Sequence, residues 1–129
     1  QYSSMILLLV AAAFSSAAAD TVSSELGVIY GKRFYNIISF KKDIRGENGV
    51  ISVEGTIAGV SASLLIAIVY SIFTQYHHYN IMVIVVAGTV GNLTDSVLGA
   101  TAERRQLLNN NAVNFLNTVA AVICAFLIL

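Results

Sequence analysis

Four long apolar runs, at residues 5–19, 56–76, 81–98 and 112–129, alternate with short polar connections and one long polar stretch, residues 32–54. The first run carries no charge, and with the residues ahead of it amounts to roughly 29 Å of helix, close to the thickness of a bilayer core. A signal peptide is the rival reading, because MILLLVAAAF is followed by the Ala-rich SSAAAD. The residues ahead of Met5 contain no Lys or Arg, and three further apolar runs follow, which favours a membrane helix. Asp20, Ser23, Ser24 and Gly27 then recur at helical spacing, so the first helix is expected to continue past the bilayer edge with one polar face. In the second run Gly55, Gly59 and Ser63 fall four apart, a pattern that lets membrane helices approach closely. Gly88 and Gly91 do the same in the third, which ends with Asn92, Asp95, Ser96 and Gly99 on one face. Asn109, Asn110 and Asn111 are expected to cap the fourth helix, with Asn111 and Asn114 at its start. The pattern predicts an all-α, polytopic membrane helix bundle of about four transmembrane helices with one polar cytoplasmic loop. It reads as a single integral-membrane domain over residues 1–129 and is expected to be the C-terminal part of a longer protein, since it opens at Gln1 and ends inside an apolar run.

Composition supports the lipid assignment. Hydrophobic residues make up 57% and charged ones 11% of the chain, against roughly 45–50% and about 25% in an average soluble domain. The formal net charge is zero, so no whole-molecule field draws the chain to nucleic acid. The single Cys124 excludes a disulfide framework and a CxxC metal site, and its place in an apolar run suits packing. Five of the seven Lys and Arg residues lie in the long polar stretch and the other two are Arg104 and Arg105. The connection YHHYN at residues 76–80 has none. The positive-inside rule therefore places the first and third connections in the cytoplasm, in a multi-pass protein of a prokaryotic inner membrane or its organellar equivalent. His77 and His78 are adjacent and would diverge by about 100° on a helix, so they read as part of an aromatic belt rather than a metal site.

Within the long loop, Phe34, Tyr35, Ile37 and Ile38 form a candidate amphipathic piece for the headgroup region. The run RGENG at residues 45–49 is turn chemistry that leaves backbone amides open to an anion, although a plain solvated loop explains its charges equally well. Asp20, Glu54, Asp95 and Asn114 all fall at the cytoplasmic ends of their helices. One polar site at the mouth of the bundle accounts for all four. Its acids, amides and hydroxyls suit Mg²⁺, and with basic residues nearby they suit Mg²⁺-assisted phosphoryl or nucleotidyl transfer to a membrane-embedded alcohol or phosphate. No Walker A, GxSxG or HExxH sequence is present. A transporter predicts ionisable residues near the bilayer centre, and residues 6–13, 63–69, 83–86 and 120–126 hold none. An assembly protein that binds partner helices, or a homo-oligomer formed through the small-residue faces of Gly55, Gly59 and Gly88, stays open.

Four segments, AAADTVSSELG at residues 17–27, GENGVISVEGT at 46–56, GNLTDSVLGAT at 91–101 and NNAVNFLNT at 110–118, resemble the integral-membrane family named domain of unknown function 92, which includes phytyl phosphate kinases. More distantly, GKRF and SVEGTIAG are similar to segments of dolichol and phytol kinases and of CTP-using cytidylyltransferases. The resemblance implies CTP or another nucleoside triphosphate as donor, Mg²⁺ as cofactor and an isoprenoid or phytyl phosphate as acceptor, with a CDP-lipid-type cytidylyltransferase as the alternative. Asp20, Ser24 and Glu25 match the first motif; Asn48, Gly49, Glu54 and Gly55 the second; Asp95 and Ser96 the third; Asn114 the fourth. The expected roles are Asp20, Asp95 and Glu54 as catalytic and metal-binding acids, with Gly46, Asn48 and Gly49 on phosphate. Ser24, Glu25, Ser96 and Asn114 would complete the nucleotide site, and Lys41, Lys42 and Arg45 would attract the nucleotide. The chain departs from the family at Val50, where a second Gly is common, and at Asn111, where an Asp is usual.

Overall fold

The computed structural model describes residues 2–74 and 78–129, and the expected belt residues Tyr76 and His77 lie outside them. Four long helices dominate: α1 (Tyr2–Tyr30), α2 (Val53–Phe73), α3 (His78–Leu98) and α4 (Asn110–Ile128). Each is long and apolar enough to cross a membrane. α1, with 29 residues, is roughly 43 Å long and outreaches a bilayer core of about 30 Å.

α2 shows why this bundle belongs in lipid. Its buried positions are Gly55, Gly59, Ser63, Ala67 and Ser71, four apart along one face, while Leu64, Leu65, Ile68 and Ile72 point outward and are exposed. A helix in water buries its large apolar side chains; this one buries its small ones and offers the large ones to its surroundings. The surroundings must be apolar. The buried face is closely matched by its neighbours: a Cβ on Gly55 would lie 2.6 Å from the Ser23 carbonyl oxygen, and one on Gly59 would lie 3.0 Å from that of Ala19. Gly88 and Gly91 of α3 likewise meet Ser15 and Ser16 of α1. The small-residue faces considered for pairing copies of the chain are thus filled by packing within it.

α1 and α3 form the central pair, each packing against the other three helices, with α2 and α4 on the flanks. Leu8, Ala12, Ala67, Val83, Ile84, Ala87, Ala121 and Ala125 make the apolar core, against which Cys124 packs half-buried. Caps fix two helix starts. Ser52 accepts a hydrogen bond from the Gly55 amide at 3.1 Å and Asn109 one from Ala112 at 2.8 Å, satisfying amides that a first turn leaves free.

The long loop is ordered around a short antiparallel ladder. Tyr35–Asn36 (β1) pairs antiparallel with Val50–Ile51 (β2), and residues 37–39 form a turn. Phe34, Tyr35 and Ile37 are half-buried, and Phe34 turns toward the cavity at this end of the bundle. The third connection opens with a π-helical turn at Gly99–Glu103, a distortion common near functional sites. The two connections touch. The Arg104 guanidinium donates to Asp43 Oδ2 and to the Asn48 carbonyl, both at 2.7 Å, and Gly49 lies against Ala100. They therefore share one end of the bundle.

Candidate functional site

A cavity of about 390 Å³ opens at that end, lined by all four helices and the loop. α1 contributes Asp20, Thr21, Ser23, Ser24 and Glu25; α2 contributes Gly55 and Thr56. Asn92, Asp95 and Ser96 come from α3, Asn110 and Asn114 from α4, and Glu103 from the π-helical turn. Residues 46–52 supply the loop side.

At its base two carboxylates from different helices meet. Asp20 of α1 and Asp95 of α3 lie close to one another, with Asn117 of α4 beside them. Asn117 Nδ2 donates to Asp95 Oδ1 at 2.9 Å. Its Oδ1 accepts from Ser16 Oγ at 3.2 Å and from Thr118 Oγ1 at 3.1 Å. With hydroxyls on the oxygen side, Thr118 sharing its one proton with the Asn114 carbonyl at 2.9 Å, the amide nitrogen faces the acids. Asn117 is fully buried, so this orientation is held by packing as well as by hydrogen bonds. A second α1–α3 link lies nearby, Ser23 Oγ to Asn92 Oδ1 at 2.9 Å.

The lining contains five carboxylates, Asp20, Glu25, Glu47, Asp95 and Glu103, and no Lys or Arg. The Arg104–Asp43 salt bridge lies outside the cavity, and with no Lys or Arg in the lining no such side chain neutralises the Asp20–Asp95 pair. Two adjacent carboxylates with hard amide and hydroxyl oxygens around them fit a divalent cation such as Mg²⁺, which takes one or two carboxylates and leaves other positions to substrate phosphates. No group of three His, Cys, Asp or Glu side chains placed to hold a metal forms among the described residues, so the protein would offer such an ion the two carboxylates and neutral oxygens only.

Not every expected residue joins this cavity. Asp20, Ser24, Glu25, Gly46, Asn48, Gly49, Asp95, Ser96 and Asn114 line it. Glu54 does not; its Oε2 accepts from the Lys32 amide at 3.4 Å. Lys41 and Lys42 lie on the outer surface of the loop, and Arg45 sits over the Phe34 ring at 5.9 Å. Sequence reasoning passed over Asn117, and it placed Ser23 and Asn92 on polar helix faces without giving them a role. Asn117 carried a signal, since Asn111, Asn114 and Asn117 are spaced three apart. Asn92 is buried between helices.

Outside the membrane spans, Asp43 anchors the loop. The Ile44 amide, the Asn36 side-chain amide and Arg104 all donate to its carboxylate and hold its pKa below the ordinary value.

The fold and the cavity define a polytopic integral membrane protein with a polar site at one end of its bundle. The chain belongs to the family described as integral membrane protein DUF92, whose pattern matches residues 1–122. It is 36% identical over 129 residues to the chloroplastic protein VTE6 of Arabidopsis thaliana, covering 98% of this chain and 39% of that protein. An uncharacterized membrane protein of Methanocaldococcus jannaschii is 36% identical over 118 residues, covering 88% of this chain and 48% of the relative. One of Synechocystis is 35% identical over 108 residues, covering 83% and 42%. The chain thus spans less than half the length of these curated relatives. No solved structure matches it.

Proposed function

We propose that the cavity transfers a phosphoryl group from a nucleoside triphosphate, CTP for preference, to an isoprenoid or phytyl phosphate at the cytoplasmic face of the membrane. The observation that carries this reading is the Asp20–Asp95 pair, uncompensated by any cation and oriented by Asn117. Asp20 and Asp95 would hold Mg²⁺, which when bound supplies positive charge to the donor phosphates. Gly46, Asn48 and Gly49 line the cavity, and the two glycines would let a phosphate approach the backbone, as a phosphate cradle requires. Ser24, Ser96 and Asn114 offer hydroxyl and amide groups that complete the nucleotide site. A volume of about 390 Å³ lies in the range of small-ligand sites. Glu54 has no direct role here, because its carboxylate faces the Lys32 amide. The basic loops, sharing one end of the bundle, favour a cytoplasmic opening under the positive-inside rule.

The test is to incubate the purified protein with phytyl phosphate, Mg²⁺ and CTP and follow the products. The reading expects the isoprenoid diphosphate together with CDP, and loss of both in Asp20→Asn and Asp95→Asn. Release of pyrophosphate in place of CDP would reassign the site to nucleotidyl transfer. Wild-type turnover in both variants would remove the acids from the chemistry.

A further inference from the structure

The loop has a second surface that the cavity does not use. Phe40 is 76% exposed and Ile44 69%, and Ile38 is exposed beside them. Lys41, Lys42 and Arg45 lie among these apolar side chains, also exposed. The one acid of the segment, Asp43, is paired with Arg104, and none of the three cations is in an ion pair among the described residues. Phe40 adopts φ 54°, a left-handed conformation disfavoured for an aromatic residue, and yet its ring finds little cover.

The roots of the loop show what lies beside this tip. Ile29 and Tyr30 at the end of α1, and Val53 and Ile57 at the start of α2, are large, outward and exposed. The lipid-facing surface therefore runs to the last turn of both helices that carry the loop, so the loop leaves the bundle at headgroup level. The neighbouring third connection repeats the pattern, with Leu107 exposed close to Arg105. Apolar side chains interleaved with Lys and Arg at this depth match an interface whose outer layer is anionic and whose inner layer is hydrocarbon.

We propose that residues 38–45 dock on anionic lipid headgroups. Phe40, Ile38 and Ile44 enter the boundary between headgroups and acyl chains, and Lys41, Lys42 and Arg45 pair with lipid phosphates. Because β1 and β2 join this tip to residues 46–52, which line the cavity, docking also fixes the side of the site that the helices do not build. The proposal stands apart from the reaction assigned to the cavity.

The chain contains no Trp, so Phe40→Trp gives a single reporter. The variant is reconstituted in brominated phosphatidylcholine vesicles with and without phosphatidylglycerol, and Leu65→Trp, on the lipid-facing side of α2, verifies insertion. The expected result is blue-shifted, strongly quenched Phe40→Trp emission in the anionic vesicles, reversed by salt. Replacing Lys41, Lys42 and Arg45 by Gln should weaken docking roughly fivefold per charge, about a hundredfold together. Solvent-like, unquenched emission in both vesicle types while Leu65→Trp is quenched overturns the proposal and leaves a protein partner for the patch. Quenching equal in neutral and anionic vesicles and unaffected by the triple substitution overturns it too.

Discussion

Gly49→Ala measures how closely the loop must lie on the turn after α3. Gly49 has φ +75°, and a Cβ there would stand 2.5 Å from the Ala100 Cα and closer still to its Cβ and amide nitrogen. Gly46 is its control, with φ +84° and nothing within 4 Å of the added atom. Both substitutions force an L-residue into the left-handed region, which costs about 1–2 kcal/mol. At Gly49 the overlap is with backbone, which cannot rotate aside, and such overpacking adds roughly 1–3 kcal/mol. The expected destabilisation is therefore about 1–2 kcal/mol for Gly46→Ala and about 2–5 kcal/mol for Gly49→Ala. Equilibrium unfolding in micelles reads the difference, and tryptic cleavage after Lys41, Lys42 and Arg45 shows whether the loss is local. Gly49→Ala should be cut faster than Gly46→Ala. Equal effects at the two positions would refute the argument, since they would mean that φ alone, and not contact with Ala100, fixes the loop.

Asn117→Leu keeps approximate volume but removes the donor to Asp95 and leaves buried polar groups unsatisfied, at a cost of about 1–3 kcal/mol. Mn²⁺ affinity followed by electron paramagnetic resonance should fall with it, and unchanged affinity would mean that Asn117 only packs. The Asp43 carboxylate has a lowered pKa, so its contribution to the loop is fully present above its unfolded value of 3.8 and is lost as pH falls through the still lower folded value. Proteolytic protection of the loop should accordingly stay flat from neutral pH down to about pH 4, whereas Asp43→Asn should lose it throughout. Ser52→Ala deletes the cap of α2 and should cost about 1 kcal/mol in the same unfolding assay.

The helices were legible because each apolar run matches a membrane thickness and each buried face repeats every four residues. The spacing of Gly55, Gly59 and Ser63 marks α2 for a close helix contact; that the contact is to α1 is not legible in it, because small residues specify closeness and not identity. Glu54 illustrates the opposite limit. It neighbours Gly55, which faces α1, and consecutive helical residues diverge by about 100°, so its carboxylate is carried away from the cavity. The loop ladder was illegible because its strands are two residues each and their pairing is stabilised from outside, by Arg104 on Asp43 and Asn48. Asn117 went unassigned because it stands past the start of an apolar run, where an amide reads as a packing residue until its partners from α1 and α3 are in place.

The account rests on Asp20 and Asp95 acting together on a metal-bound nucleotide. Calorimetric titration of CTP into the purified protein, with and without Mg²⁺, tests it most directly. Binding should require Mg²⁺ and weaken at least about tenfold, or about 1.4 kcal/mol, in each of Asp20→Asn and Asp95→Asn. An affinity that ignores Mg²⁺, or that both variants retain, would contradict it.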